Sequence, residues 1–236
     1  MKVLVIPDVH LKPWMFHRAL ELVKETEVDR VVCLMDIADD WLQQFNLDLY
    51  IQTYDAAIKF SKEYPETLWC YGNHDVCYLW DQRENGYSEI ASLTVCEKLE
   101  ILRESLPDER QMAYLHRIDN VLFSHGGLTD EFVQLYVPGK SQDDIDYVVD
   151  VINGFDCEEM WQDISPLWCR PQYDDGVLYK PEKLLHIVGH TPMESITRKD
   201  NLISCDVFST DHYGKSIGNQ EFLVIDTRTW EYYSVY

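Results

Sequence analysis

Short apolar runs alternate with amphipathic segments along the first third of the chain. The runs "KVLVI" at 2–6, "RVVCL" at 30–34 and "TLWCY" at 67–71 are rich in β-branched and aromatic residues, which is typical of buried strands. Between them, apolar residues recur at helical spacing near 14–26 and 48–63. This order predicts that the fold begins with a βαβαβ unit.

From residue 112 onward the apolar runs lie closer together and predict further strands. The run "MAYLHRIDNVLFS" predicts a hairpin that turns at Asp119-Asn120. Four more strands are predicted in the segments "LLHIVG", "NLISCDVF", "EFLVIDT" and "TWEYYSVY". The stretch around 130–183 is helical in pattern, rich in Trp and Tyr, and lacks a Gly/Ser-rich linker. We therefore expect one α/β domain over residues 1–236, with a core of two mixed β-sheets, helices outside it, and a helical cap-like segment around 130–183.

Composition narrows the class of protein. A chain of 236 residues with 46% hydrophobic and 26% charged residues is globular rather than disordered or fibrous. The apolar runs are too short for a membrane span or a secretion signal, so we expect a cytoplasmic protein without a membrane partner. The seven cysteines lack CxxC spacing, which indicates reduced thiols rather than a thiolate zinc site. The formal net charge of −22 would repel a phosphodiester backbone, so nonspecific nucleic-acid binding is not expected.

Asp, His or Asn residues follow five of the apolar runs. They are Asp8 and His10 after the first run, Asp36 and Asp39 after the second, Asn73 and His74 after the third, His125 after the hairpin, and His190 after "LLHIV". Ligands of α/β sheets bind in the crevice outside the carboxyl ends of the strands, so these side chains can converge. The tetrapeptide "GNHD" at 72–75 alone would be an ordinary turn. The prediction of a shared site therefore rests on the whole ordered set of these Asp, His and Asn residues, each of which follows an apolar run.

This ordered set resembles the motifs of the calcineurin-like metallophosphoesterases. The similarity covers nearly the whole chain and is nearest the branch of serine/threonine protein phosphatases and diadenosine tetraphosphate hydrolases of phage and bacterial type. It implies a four-layer fold, in which two mixed β-sheets pack as a sandwich flanked by helices. It also implies hydrolysis of a phosphoester by a hydroxide that bridges two metal ions.

The resemblance assigns a ligand to each strand end. It implies Asp8 and His10 as ligands of a first metal, Asp36 as the carboxylate bridging both metals, and Asn73, His125 and His190 as ligands of a second metal. Such a mixed oxygen and nitrogen set suits Mn, Fe or Zn better than Ca or Mg, and we expect two divalent ions, with Mn favoured. Two divalent ions make the site locally cationic within an acidic protein and lower the pKa of a bridging water.

His74 and Asp39 are implied as the acid–base pair. His74 corresponds to an acid that does not bind metal and protonates the leaving oxygen. Asp39 stands at the position of the family's second Asp, where it would raise the pKa of His74 and fix its tautomer. Asp75 is predicted to be a turn residue and helix cap.

Arg170, in "PLWCRP", resembles a Trp-x-Arg element whose guanidinium would hold the phosphate by two parallel hydrogen bonds. The alternative is a surface arginine paired with neighbouring acids. Trp161, Trp168 and Tyr173 could stack a nucleobase, although aromatic residues at such spacings more often pack in a core or cap. Asp206 could support a metal ligand or form a turn.

The sequence departs from the family pattern at three positions. Met35 replaces the glycine that usually precedes the bridging Asp. Asp40 stands where the protein-phosphatase branch usually has a phosphate-binding Arg. If Asp40 faced inward it would repel a phosphate dianion, whereas the alternative places it in solvent, capping a helix that begins near Trp41. Thr191-Pro192 follows the late Gly-His where the nuclease and diesterase branches have Gly-His-x-His. A fourth protein ligand of the first metal is therefore missing, which favours relatives that act on phosphomonoesters.

These features predict a metal-dependent phosphohydrolase whose partner is a phosphorylated protein or small phosphomonoester. The alternative within the enzyme class is a dinucleoside polyphosphate hydrolase or phosphodiesterase. The rival class, a non-catalytic binding protein on the same fold, is disfavoured because every expected ligand type is present. The remaining histidines are expected to be solvated or hydrogen-bonded; they are His17, His116, His186 and His212.

Overall fold

The computed structural model describes residues 1–139, 141–173 and 176–236. Its strands are β1 (Lys2–Ile6), β2 (Arg30–Cys33), β3 (Leu68–Cys70), β4 (Met112–Ala113), β5 (Leu115–Ile118), β6 (Val121–Ser124), β7 (Leu185–Val188), β8 (Thr197–Lys199), β9 (Leu202–Ser204), β10 (Phe222–Asp226) and β11 (Tyr232–Val235). Its α-helices are α1 (Trp14–Thr26), α2 (Leu47–Glu63), α3 (Asn73–Leu79), α4 (Ser92–Glu104), α5 (Asp130–Tyr136), α6 (Ile145–Asn153) and α7 (Cys157–Met160).

The strands form two mixed sheets. The six-stranded sheet has the order β11-β10-β1-β2-β3-β4, in which β1 to β4 are parallel and β10 runs antiparallel to both of its neighbours, β1 and β11. The five-stranded sheet has the order β5-β6-β7-β9-β8, with a parallel centre and antiparallel edges. The predicted α/β class with two mixed sheets is confirmed.

The two sheets pack face to face through an apolar layer. Val5 and Val32 of the first sheet share this layer with Phe123 and Ile187 of the second. Helices α1, α2 and α4 bury their apolar stripes against the outer face of the first sheet. Helices α5, α6 and α7 cover the outer face of the second. The result is the expected four-layer arrangement, held together by burial of apolar surface on both faces of each sheet.

The parallel strands direct their carboxyl ends towards one edge of the sandwich. Strands β1, β2 and β3 pair in register, so that the loops following them are neighbours. Strands β6 and β7 do the same in the second sheet. The loops after β1 and β2 are further joined by hydrogen bonds from the Val9 amide to Met35 O (3.0 Å) and from the His10 amide to Asp36 O (2.7 Å). This edge is where the candidate ligands were predicted to meet.

The run at 112–124 differs in part from the predicted hairpin. Strands β5 and β6 form it, turning between Ile118 and Val121 as predicted. Residues 112–113, however, belong to β4, which pairs with β3 in the other sheet. The chain crosses between sheets at Tyr114, where the Asn153 Oδ1 accepts the amides of Tyr114 (3.1 Å) and Leu115 (2.9 Å). Apolar alternation alone could not show this change of sheet, because both halves of the run are buried.

The remaining parts of the fold are strand β8 and the segment around 130–183. Strand β8 was not predicted, because its sequence Thr-Arg-Lys is polar and largely exposed. No described helix is both long and apolar enough to cross a membrane. In the segment around 130–183, helices α5 to α7 pack on the second sheet, and Trp168 and Arg170 are its described residues that line the cavity at the edge described above.

Candidate active site

A cavity of about 280 Å³ opens at the carboxyl ends of the parallel strands. Its walls include residues from the loops after β1, β2, β3, β7 and β9, together with the 168–170 segment. His10, Asp36, Asn73 and His190 line its floor, and His74 and Arg170 lie beside them. The structure therefore brings side chains far apart in sequence into one cavity.

Asp8, His10 and Asp36 form the first group of potential metal ligands. Each offers one ligand atom, and these atoms lie within 4.8 Å of one another. The Nδ1 of His10 lies 2.9 Å from the carbonyl oxygen of Asp39. When Nδ1 donates its proton to that carbonyl, the lone pair of the neutral ring is on Nε2, which lies 3.8 Å from Asp36 Oδ2.

Asp36, His125 and His190 form the second group, so Asp36 belongs to both. The Nε2 of His125 lies 3.2 Å from Asp36 Oδ2, 3.1 Å from His190 Nδ1 and 3.0 Å from Asn73 Oδ1. The Nδ1 of His125 lies 3.0 Å from Leu34 O and donates to it. The six predicted ligands thus lie in two adjoining groups, with Asp36 between them.

These side chains fit divalent cations by an observation independent of any sequence motif. The Nε2 atom of His125 faces the oxygens of Asp36 and Asn73, because its Nδ1 donates to Leu34 O. Oxygens of Asp36 and Asn73 that converge on one point require a positive charge there, which either a proton on His125 Nε2 or a metal ion supplies. The buried atoms Asp8 Oδ1 and His190 Nε2 have no hydrogen-bond partner within the described part of the chain, although such groups are normally paired. A metal ion at each group would satisfy this set.

The pKa shifts of these side chains follow from their burial and from one another's charges. Burial and the neighbouring charge of Asp206 raise the pKa of Asp8 well above its usual value. Burial lowers the pKa of His125, but the charges of Asp36 and Asp8 outweigh it and raise the pKa to about 9. Burial and the cation His125 lower the pKa of His190 well below its usual value, so that ring is neutral and able to bind metal.

Two glycines allow the ligands to lie this close to the backbone. A Cβ atom on Gly72 would lie 2.0 Å from Asp36 Oδ1, and one on Gly189 would lie 1.9 Å from Asp8 Oδ1. Both distances are far inside van der Waals contact. The His190 amide donates to Asp8 Oδ2 at 2.6 Å, which holds that carboxylate in place. The glycines of the GNHD and Gly-His motifs are thus needed for space next to a ligand.

Several ligands lie in strained backbone. His10, Asp36 and His190 have positive φ angles of 41°, 41° and 59°, in the left-handed region that L residues rarely adopt. Met35 also has a positive φ of 56°, although it is fully buried in the core. The conformation that glycine usually supplies before the bridging Asp is therefore kept without glycine. Such strain persists only where surrounding contacts hold it, and it concentrates at functional sites.

His74 and Asp39 lie together beside the ligand groups. The Nδ1 of His74 is 2.9 Å from Asp39 Oδ2, and the His74 amide donates to Asp36 Oδ1 at 2.9 Å. Burial would lower the pKa of His74, but the hydrogen bond to Asp39 and the charge of Asp36 raise it to about 9. His74 is thus held protonated at neutral pH, which is the state that a general acid requires.

Two tyrosines that sequence reasoning missed complete this pair. The hydroxyls of Tyr50 (2.7 Å) and Tyr78 (2.5 Å) both donate to Asp39 Oδ1. Asp39 is 2% exposed, so these donors compensate for the water that its carboxylate has lost. A buried tyrosine generally needs a hydrogen-bond partner, which is the only signal that the sequence offers for them.

Asp75 does not cap a helix, contrary to the prediction. Helix α3 has Gly72 as its N-cap, and Asp75 lies fully buried in the first turn. Its Oδ1 accepts the amide of Ile37 at 3.0 Å and the hydroxyl of Tyr54 at 3.1 Å. Burial and the charge of Asp36 raise the pKa of Asp75 to about 7. Asp75 thus fixes the loop that carries Asp36.

Arg170 reaches the cavity from the 161–173 segment. Its Nη1 donates to His190 O at 2.6 Å and lies 3.3 Å from Thr191 Oγ1. The acids nearest to it in sequence, at 174 and 175, lie outside the described residues. Trp168 lines the cavity wall and packs edge-on against His190, at 5.6 Å between ring centroids.

The aromatic residues near Arg170 divide into two groups. The ring of Trp161 packs against Trp168 at 5.0 Å, away from the cavity lining. Tyr173 is 71% exposed and does not line the cavity either. Of the three residues suggested for base stacking, only Trp168 lies at the cavity.

Asp40 neither faces solvent nor caps a helix near Trp41. Helix α2 begins at Leu47, and residues 41–46 form turns. The Asp40 side chain is 14% exposed, lines the cavity, and forms an ion pair with Lys12 at 2.9 Å. Sequence analysis did not identify Lys12, because a single lysine in a loop has no distinguishing pattern.

The other candidate residues have structural partners. Asp206 lines the cavity, and its carboxylate accepts from the amide (3.3 Å) and hydroxyl (2.9 Å) of Ser209, so it forms a turn next to Asp8. His116 Nε2 donates to Trp69 O at 3.1 Å, and His186 Nε2 donates to Tyr179 O at 2.8 Å. These two histidines are hydrogen-bonded core residues, as expected.

Comparison with known proteins supports the same family. The model of the calcineurin-like phosphoesterase family matches residues 1–223. Comparison with curated proteins finds no match. Among solved structures, the chain is similar to a cold-active protein-tyrosine phosphatase of a psychrophilic Shewanella species, with a TM-score of 0.54 and 16% identity over 100% of this chain and 80% of that chain. It is also similar to a protein of Thermus thermophilus, with a TM-score of 0.50 and 9% identity over 99% of this chain and 97% of that chain. These similarities show a shared fold.

The family match spans nearly the whole chain and includes every loop that reaches the cavity. The two ligand groups that share Asp36 agree with the dinuclear divalent metals that this family uses. The chain therefore belongs to the calcineurin-like phosphoesterases and is a metal-dependent phosphoesterase.

Proposed function

We propose that the protein is a phosphatase that hydrolyses a phosphomonoester, carried either by a protein or by a small molecule. The observation that carries this proposal is the position of His74, which lines the cavity while hydrogen-bonded to Asp39 and to Asp36. Hydrolysis of an alkyl phosphate needs an acid at the leaving oxygen. A protonated imidazole next to two metal-ligand groups meets that need.

In the proposed reaction, Asp8, His10 and Asp36 hold one ion, and Asp36, Asn73, His125 and His190 hold the other. Two divalent ions supply positive charge to the phosphoryl oxygens and lower the pKa of water towards neutrality. Mn is the metal that we propose, with Fe and Zn as alternatives, because the donor set is mixed oxygen and nitrogen.

The residues around the ions perform the remaining tasks. His74 donates its proton to the leaving oxygen, and Asp39 keeps that proton on the ring until it is transferred. Tyr50 and Tyr78 hold Asp39 in a fixed orientation by donating to its second oxygen. We propose that the Arg170 guanidinium contacts a phosphoryl oxygen, since it lies at the cavity and its Nη1 is anchored on His190 O.

The dimensions of the cavity limit the substrate. A volume of about 280 Å³ holds a phosphoryl group and the first atoms of its leaving group, whereas pockets that enclose drug-sized ligands run from roughly 300 to 1,000 Å³. A substrate larger than a small phosphomonoester must therefore extend outside the cavity mouth. This favours a phosphate presented on a protein or a flexible chain.

The alternative is a dinucleoside polyphosphate hydrolase or phosphodiesterase. Trp41 lines the cavity and is 46% exposed, so its ring offers a surface on which a nucleobase could stack at the mouth. Trp168 is less suited to this role because its ring already packs against His190 and Trp161.

A screen of phosphoesters with added Mn, Fe or Zn distinguishes these functions. The substrates are an aryl phosphate, an alkyl phosphate, a phosphoserine peptide, an aryl diester and a dinucleoside tetraphosphate. We expect the monoesters to be hydrolysed most efficiently, with activity lost on chelation and restored by Mn. A preference for the dinucleotide or the diester would support the alternative. Absence of turnover with every metal and substrate would contradict both.

We also propose that the protein works in a reducing compartment such as the cytoplasm. Cys33, Cys70, Cys77, Cys96, Cys157 and Cys205 are free thiols. Burial raises the pKa of Cys33 and Cys205 well above the usual value, which keeps both thiols protonated and unreactive. Expression in a reducing and in an oxidising compartment, followed by thiol titration, tests this proposal.

A further inference from the structure

An ion pair between Lys12 and Asp40 is built into the wall of the cavity. The Lys12 Nζ lies 2.9 Å from Asp40 Oδ2, and the two side chains are 10% and 14% exposed. Lys12 Nζ also donates to the carbonyl oxygen of His10 at 2.9 Å. The other oxygen of Asp40 accepts from the Trp41 amide at 2.8 Å and from the Thr210 hydroxyl. The pair therefore connects the loops after β1 and β2 to the segment after β9.

The two members of the pair face the cavity differently. Asp40 and Thr210 line it, whereas Lys12 lies behind them and does not. A substrate in the cavity therefore meets a carboxylate whose charge is offset from behind by an ammonium group. Asp206 and Glu84 add further negative charge to the same lining. Without Lys12, Asp40 would become an uncompensated buried anion facing the phosphate.

We propose that Lys12 is a positioning residue that sets the charge selectivity of the site. It holds Asp40 against the cavity wall and offsets its charge, so that the cavity accepts the dianion of a phosphomonoester. This inference rests on the proposed function, because it concerns the substrate of the same site. It also explains how the protein keeps an acidic residue in the cavity wall without repelling phosphate.

The charge of the substrate provides a quantitative criterion. The Coulomb energy between Asp40 and a phosphoryl group is proportional to the charge of that group. The logarithm of the loss caused by removing Lys12 should therefore be about twice as large for a dianionic monoester as for a monoanionic diester. If Lys12→Met reduces kcat/KM for the diester about tenfold, it should reduce kcat/KM for the monoester about a hundredfold.

The experiment compares four variants on an aryl phosphate and an aryl methyl phosphate diester at saturating Mn. Lys12→Met should lower the ratio of monoester to diester efficiency, mainly through KM for the monoester. Lys12→Arg keeps the positive charge and should restore most of the ratio. The double variant Lys12→Met/Asp40→Asn removes both charges and should also restore it. Lys98→Met, which breaks a surface pair with Asp55, is the matched control and should leave both efficiencies unchanged.

Metal content and phosphate binding separate this inference from the proposed function. Calorimetry of inorganic phosphate with the Mn-loaded protein should show weaker binding to Lys12→Met and recovery in the double variant, whether or not turnover is observed. Equal losses for both substrates, accompanied by loss of Mn, would mean that Lys12 only supports His10 and would overturn the inference. An unchanged ratio and unchanged phosphate binding would overturn it as well. Wild-type protein that hydrolyses neither ester contradicts the proposed function alone.

Discussion

Replacing Asp39 by Asn tests the acid role of His74 without altering a metal ligand. The asparagine would keep the shape of the side chain, and its carbonyl oxygen can still accept from the hydroxyls of Tyr50 and Tyr78. Its amide nitrogen would face His74 Nδ1, which lies 2.9 Å from Asp39 Oδ2. An amide there donates to the neutral ring, whereas the carboxylate accepts from the protonated ring. The substitution therefore reverses which protonation state of His74 is favoured.

The pKa of His74 sets how much activity Asp39→Asn should lose. The carboxylates raise the pKa of His74 to about 9, so at pH 7.5 the ring is almost fully protonated. A ring at the ordinary value of about 6.5 is protonated in roughly one molecule in ten at that pH. The pKa of His74 in Asp39→Asn falls from about 9 towards this value, because the hydrogen bond that most raises it is lost and burial still opposes the charged form, whereas the charge of Asp36 remains. The efficiency for a poor leaving group should therefore fall by up to about tenfold at pH 7.5.

The assay is the pH dependence of kcat/KM for an alkyl phosphate. Activity that requires protonated His74 is present below its pKa and is lost as the pH rises through it. Bound divalent ions lower the pKa in both proteins, so the difference between them is the measured quantity. The alkaline limb of Asp39→Asn should lie at least about one pH unit below that of the wild type.

Two controls accompany this measurement. 4-Nitrophenyl phosphate, whose leaving group needs little protonation, should show a much smaller change, and the Mn content should equal that of the wild type. Adding Asp39→Asn to a His74→Asn background should have little further effect, because both act through one proton. An alkaline limb at the same pH in both proteins would refute the reasoning, as would equal losses for the two substrates.

The remaining predictions concern the acid itself, the shared carboxylate and a glycine. His74→Asn should keep its Mn content and lose turnover of alkyl phosphates by about 10²–10⁴-fold, with a smaller loss for 4-nitrophenyl phosphate; uniform losses would indicate a role in binding instead. Asp36→Asn should lose more Mn and more activity than any other single ligand variant, because Asp36 belongs to both ligand groups, and near-normal turnover would show that it is not shared. Gly72→Ala should lose Mn affinity because its Cβ would lie 2.0 Å from Asp36 Oδ1, whereas Gly139→Ala meets nothing within 4 Å and should bind Mn as the wild type does. Full Mn binding by Gly72→Ala would show that the loop can move aside.

The edge of the sheet at which the site lies could be predicted from the sequence. The period of the apolar residues distinguishes β1, β2 and β3 from α1 and α2, and parallel strands place their carboxyl ends at one edge. The polar residues that directly follow those strands had to lie near one another. The same argument predicted that His125 and His190 lie at this edge, because His125 directly follows β6 and His190 lies two residues after the end of β7.

The sequence could not predict which groups hold the site residues in position. Asp39 depends on Tyr50 from α2 and Tyr78 from α3, and the rotation of each helix decides whether its hydroxyl reaches the carboxylate. Asp75 was predicted to be a cap because local rules favour Asp there, but burial against Ile37 and Tyr54 overrode them.

The partners of Asp40 show most clearly what could not be predicted from the sequence. Its charge is offset by Lys12, and its second oxygen is held by Thr210, which is 170 positions away in the chain. Local sequence determines where chemistry is placed along each strand, since strand period and strand ends are short-range properties. Which of those charges face the substrate and which are neutralised is decided by contacts between distant segments, because only the packed core fixes the distances on which Coulomb and hydrogen-bond energies depend.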